Sequence, residues 1–221
     1  MTPLRPNRRT LLQALAAGSL AGLMQRLLAA GTNPATPGLR RMHGEVTVNQ
    51  QPARNGQLVK PGDAVATGPG AEAIYVIGQD AFLQRESSLV RFGADVTADF
   101  MRVVSGKILS VFGRGDKRLV VSTATIGIRG TACYIEELPG HTYFCLCYGE
   151  AEVVPTAAPL ERETIRTTHH EHPIYIHGDP AMPKSMVPAE VINHKDEELT
   201  LLENLVGRMP PFEAGSYWNN P

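Results

Sequence analysis

Six side chains in this sequence have the chemistry of soft or borderline metal ligands at workable spacing. They are Cys145 and Cys147, His169, His170 and His172, and His194. The two cysteines stand at i and i+2 in Tyr143-Phe144-Cys145-Leu146-Cys147-Tyr148, a run of strand formers. On a strand that spacing puts both thiols on one face, with their backbones about 7 Å apart. Two thiolates so placed can share a zinc, copper or iron ion but would close a strained disulfide with each other. His-His-x-His offers several imidazole donors within reach of one ion, so a Cys₂His₂-type site can form if the chain after the cysteines folds back over them. Two other readings use the same residues. The histidines, His177 among them, can be exposed loop residues while the cysteines are small buried hydrophobes. Alternatively, a cysteine pair can oxidise after export.

The third cysteine, Cys133, precedes the pair across Pro139-Gly140, a turn signal. A two-residue loop sets Cys133 opposite Leu146 and makes one apolar face of Cys133, Ile135, Phe144 and Leu146. A three-residue loop brings all three cysteines to one face. Apolar patterning favours the first register, in which Cys145 and Cys147 look the other way.

Catalysis has little support. There is no Gly-x-Ser-x-Gly, no phosphate-binding loop and no His-Glu-x-x-His. Glu136/Glu137 and Glu161/Glu163 are paired in sequence as on a solvated face. The 221 residues carry a formal net charge of −1, which gives no electrostatic footing for nucleic acid.

The elements that must position these groups are short strands. Runs at Glu45–Val48, Ala64–Thr67, Glu72–Ile77, Ala81–Gln84, Ser88–Phe92, Phe100–Val104, Lys107–Phe112 and Leu119–Ser122 alternate with turn signals, Gly78-Gln79-Asp80 and Pro139-Gly140 foremost. The expectation is an all-β chain of stacked antiparallel hairpins in a sandwich or roll. Residues 155–192, rich in Pro, Thr, Glu and His, read as irregular structure wrapping the sheet. One short helix is expected near 194–206, capped by Asn193 with Asp196 at the third position. Its stripe of Leu199, Leu202, Leu205 and Val206 is expected to dock on the β domain.

The stretch Ser122–Thr131, ending Gly127-Ile128-Arg129-Gly130-Thr131, joins two β-like runs at a glycine-bracketed arginine. It resembles the signature of the FecR domain, the periplasmic module of iron-transport regulators. Upstream, Gly44–Asn49, Gly56, Pro61–Gly68 (with Gly62, Asp63 and Thr67) and Val104–Ile108 fall in the family's order, and Cys147–Val153 resembles its closing strand. The resemblance covers residues 43–154. Arg129 is expected to need a buried partner, either Asp63 or backbone carbonyls.

Residues 1–31 read as an address. Arg8-Arg9-Thr10-Leu11-Leu12 is close to a twin-arginine pattern, and the modestly apolar run to Met24 stops short of a membrane span at Gln25-Arg26. A tethered amphipathic helix is the other reading. Residues 32–42 read as a linker. The resemblance implies an exported, periplasmic, non-catalytic binding or scaffold protein. Its partner would be a protein or envelope component, and it would touch the membrane only through an uncleaved N-terminal segment. A metal-binding protein and a regulator of a sigma factor are the two alternatives.

Overall fold

The computed structural model describes residues 34–93 and 100–212. The basic, apolar leader expected at residues 1–31 lies outside them. Fourteen strands form one continuously paired sheet that curls on itself, so the fold is all-β with a single α-helix among the described residues.

In chain order the strands are β1 (Gly38–His43), β2 (Val46–Val48), β3 (Gln51–Pro52), β4 (Ala64–Thr67), β5 (Glu72–Ile77), β6 (Asp80–Gln84) and β7 (Ser88–Phe92). They continue with β8 (Met101–Val111), β9 (Asp116–Val120), β10 (Ala124–Leu138), β11 (His141–Pro155), β12 (Glu163–Thr167), β13 (Ile174–His177) and β14 (Met186–Pro188). The helix α1 spans Asp196–Leu205.

The long hairpin β10–β11 is the spine. It pairs from Ala124 opposite Pro155 to Leu138 opposite His141, around the two-residue turn Pro139-Gly140. A bulge between Arg129 and Ala132 bends β10, with Gly130 in the left-handed region at φ 55°. Before the bend β10 pairs β9, and after it β8, so the two halves of the hairpin serve different parts of the roll.

Period-two alternation divides the apolar residues into two cores. Ala73, Tyr75, Phe82, Ile108, Cys133, Ile135, Phe144 and Leu146 point into the roll. Their neighbours Ile74, Val76, Leu83, Leu109, Tyr134, Tyr143, Cys145 and Cys147 point outward, under α1 and its Leu199, Leu202 and Leu205. The layer β5–β6–β8–β10–β11 is therefore buried on both faces, which is why its strands read as nearly unbroken apolar runs.

Four expectations need correction. The linker 32–42 already contains most of β1, because Leu39 plugs the inner core at 1 % exposure while the strand pairs with β5. The tail after Pro155 is not wholly irregular: β12 and β13 add to the free edges of β11, and β14 adds to β13. These strands are three to five residues long, too short to show a period. The helix starts two residues later than read, with Lys195 at the cap and Glu198 accepting the Lys195 amide at 3.1 Å. Finally, Arg129 is exposed and forks onto Asp116 at 2.6 and 3.1 Å. Asp63 instead closes its own turn, accepting from Asn49 Nδ2 at 2.7 Å and the Lys60 amide at 2.8 Å. The bulge turns the Arg129 side chain out of the roll, where water solvates it.

The remaining signature residues serve turns and edges. Gly62 begins the turn into β4, Thr67 and Thr131 are buried, and Gly127 pairs with Glu152 in the ladder.

Two substitutions test this account. Arg129→Met should leave the melting temperature unchanged, as expected for an exposed ion pair. Gly106→Ala should be strongly destabilising, by at least about 2 kcal/mol. Gly106 sits at φ 82°, and a Cβ there would come within 2.5 Å of the Ser88 Cα. Thermal denaturation of the two variants beside the parent measures both.

Candidate metal centre

On the outer face of the sheet, β11 presents Cys145 and Cys147 side by side, because Phe144 and Leu146 between and before them point into the roll. Cys133 lies opposite Leu146, in the inner core, on the far side of the sheet from the pair. This is the register that apolar patterning favours. All three cysteines are free thiols with no exposed surface.

Two histidines arrive over the pair from different places. His170 lies in the connection between β12 and β13, held by its amide, which donates to the Cys147 carbonyl at 3.0 Å, and by a left-handed φ of 59°. His194 comes from the segment leading into α1 and stacks on the Tyr134 ring with centroids 4.6 Å apart. The ligand atoms of Cys145, Cys147, His170 and His194 all lie within 4.8 Å of one another, and all four residues are buried.

The orientation of each imidazole is set from behind. His194 Nδ1 is 2.6 Å from the Ile192 carbonyl, which can only accept, so Nδ1 carries the proton and Nε2 faces the cluster with its lone pair. His170 Nε2 is 3.2 Å from the Asp196 carboxylate, to which it donates, and this leaves Nδ1 facing inward. His170 Nδ1 is then 3.4 Å from Cys145 Sγ and 3.1 Å from His194 Nε2. A carboxylate or carbonyl behind each ligating imidazole is the usual outer support of a metal site.

These separations fit an ion. With metal–sulfur bonds of about 2.3 Å and metal–nitrogen bonds of about 2.0–2.1 Å, a tetrahedron has sulfur–nitrogen edges near 3.5 Å and nitrogen–nitrogen edges near 3.3 Å. Charge at the site is also tuned. Hydrogen bonding from Cys147 pulls the Cys145 thiol well below its ordinary range against the cost of burial, and His170 and His194 add to it. Cys147 moves the other way, pushed up by burial and by the neighbouring Cys145. Burial works against a charged His170, yet hydrogen bonding and charge from Cys145, then Asp196, outweigh it and raise its pKa.

Of the six candidate ligands, four converge and two do not. His169 turns its Nε2 to Asp196, 2.9 Å from each carboxylate oxygen, and stacks on Phe212. His172 is exposed. Asp196 was missed because its place in the first turn of a helix is explained by the helix alone. The residue that could have pointed to it is His194, two positions earlier. Glu136, expected on a solvated face, is buried and accepts from the Tyr134 hydroxyl and from Asn193 Nδ2, each at 2.7 Å.

No family model matches this sequence, and no curated protein sequence matches it. Among solved structures, two crystal structures of a "putative anti-sigma factor" from Parabacteroides distasonis ATCC 8503 are similar. Each is 10 % identical, with TM-scores of 0.47 and 0.46. The similar region covers 57 % of this chain and 58 % of that one, so this chain spans little more than half the length of that protein.

Thiol titration checks the burial directly. The native protein should present no thiol to an aqueous disulfide reagent, and the denatured, reduced protein three. Cys133→Ala should leave the reactivity of the native protein unchanged, since it removes a sulfur from the opposite face.

Proposed function

We propose that this protein is a non-catalytic β module that holds one divalent transition-metal ion, zinc foremost, between Cys145, Cys147, His170 and His194. The observation that carries the reading is the facing pair of imidazole nitrogens, 3.1 Å apart, each with its proton engaged on the far side. Two lone pairs so close repel unless a shared proton or a metal ion lies between them, and the thiols beside them favour the metal. Two sulfurs complete a soft, four-cornered donor set around the same point.

Charge selects the ion. Two thiolates and a divalent cation sum to zero, which a buried site tolerates, whereas a monovalent ion leaves a net negative charge beside the Asp196 carboxylate. Four protein ligands with no exposed surface among the sulfurs match a closed structural centre rather than a catalytic one, which keeps a position open for water or substrate. Copper and iron are the competing occupants.

Around this centre we place the module outside the cytoplasm, in an envelope role with a protein partner, as the FecR-like order of segments along residues 43–154 suggests. The regulatory sense of "anti-sigma factor", the name carried by the similar crystal structures, is extended to this chain as part of the same proposal. The twin-arginine-like leader is its route of export, which suits a protein that acquires a metal while folding.

The test is elemental analysis of the purified, folded protein. About one zinc per chain is expected, lost in Cys145→Ser/Cys147→Ser and retained in His172→Ala. Replacement by cobalt should give the visible bands of a tetrahedral thiolate complex. Protein that takes up no metal under reducing conditions would refute the site. Separately, Arg8→Lys/Arg9→Lys should hold the full-length protein in the cytoplasm, as read by cell fractionation.

A further inference from the structure

The four ligands come from segments of very different independence. Cys145 and Cys147 sit on β11, anchored by β10 along its whole length. His170 and His194 lie in connections, and His194 stands two residues ahead of α1, whose first residue, Asp196, supports His170 from behind. We propose that the ion is a latch: it holds the carboxy-terminal segment from Ala189 through α1 on the outer face of the sheet, and its departure frees that segment while the β framework stays folded. The proposal rests on the metal reading above and adds to it a regulated element.

Three observations carry it. First, the inner core is complete without the segment. Every buried member of that core lies at or before Ile176, and beyond it only Met186 packs against the cluster, half-buried. Second, the stretch between β14 and α1 belongs to no strand. Its link to the sheet by a backbone–backbone hydrogen bond is Ala189 to the Pro173 carbonyl. Side chains do the rest. The Tyr143 hydroxyl donates to the Glu190 carbonyl, Arg85 to the Asn193 carbonyl, and Asn193 itself to Glu136. Third, α1 is ten residues long, too short to persist alone in water, so its existence depends on being held to the sheet.

The leucines of α1 and the ion pair of Arg85 with Glu198, whose atoms are 2.8 Å apart, contribute to docking. Tyr148 and Arg208 on Glu203, and His169 on Asp196, add to them, and the latch requires that together they fall short of holding the helix without the ion. The ion orders the lead-in to the helix, because His194 and the support of Asp196 behind His170 fix the two residues that flank the entry to the helix. A metal cross-link between β11 and residue 194 closes a chain segment of nearly fifty residues, which is where such a clamp has most effect. Loss of the ion would uncover Ile74, Leu83, Leu109 and Tyr134 on the outer face of the sheet. Metal occupancy would then control access to that surface.

Hydrogen exchange on the full chain tests this, comparing zinc-loaded protein, protein stripped by a chelator under reducing conditions, and stripped protein with zinc restored. The expected result is that amides of Asp196–Leu205 exchange at least about 100-fold faster without metal. Those of β8 and β10 should stay protected, and zinc should reverse the change. Helix amides equally protected in stripped and loaded protein would overturn the latch while leaving the metal site intact. Loss of protection throughout β8 and β10 would also overturn it, since the ion would then hold the whole fold. Failure to bind zinc in any sample would remove the site and the latch together, and metal content measured on the same samples distinguishes this case from the other two.

Discussion

Two imidazole nitrogens 3.1 Å apart, each with its proton turned away toward an oxygen, repel one another inside a protein unless something positive separates them. Most of what is distinctive in this structure follows from that contact. It requires a left-handed residue at His170, a carbonyl from Ile192, a carboxylate from the first turn of α1, and a sheet that brings two thiols to the same spot. All four side chains are buried, and one of them, His194, is stacked on Tyr134. A cation satisfies all four donors at once, and the oxygens behind the imidazoles are arranged to strengthen them as ligands.

The sheet makes this possible by being buried on both sides. A strand with one wet face would alternate apolar and polar residues, and its outward cysteines would be exposed and open to oxidation. Here the outer face of β5–β6–β8–β10–β11 is apolar as well, and α1 with its lead-in covers it. Between cover and sheet lie buried carboxylates that are paired: Glu198 with Arg85, Glu203 with Tyr148 and Arg208, and Glu136 with Asn193. Such pairs add little net stability, but they penalise any other seating of the helix, because misplacement would leave a buried charge alone. The inner core, by contrast, is almost entirely aliphatic and aromatic, with rings from Tyr75 to Phe112 in mutual contact. The two layers thus differ in kind: one is sealed by shape and the other by matched charges and donors.

How far the residues themselves foretold this differs from place to place. Strands β4, β5 and β7 begin and end where alternation and turn residues put them. The turn at Pro139-Gly140 and the apolar pattern of its flanks were enough to separate Cys133 from the other two cysteines. Elsewhere local reasoning misled. A glycine-bracketed arginine suggested a buried lock, but the bulge turned Arg129 outward to Asp116. Asn193 looked like a helix cap, yet it sits at φ 57° with its amide on Glu136, and the helix begins after Lys195. The short strands β12 to β14 left no periodic trace, since each exists by completing an edge that another part of the chain supplies.

The sequence by itself determined the all-β character, the hairpin register and the face on which Cys145 and Cys147 lie, because those depend on a two-residue period and a local turn. It also narrowed the possible ligands to a handful of histidines. Which of those histidines reach the thiols was decided only in three dimensions. His169, His170 and His172 are near neighbours in the chain and chemically equal, yet one binds Asp196, one meets the sulfurs and one faces water. The reason is that each ring is aimed by a partner distant in sequence, and the return of residues 189–196 across the sheet brings those partners into range. No spacing rule within the tail encodes a contact whose other half is on β11.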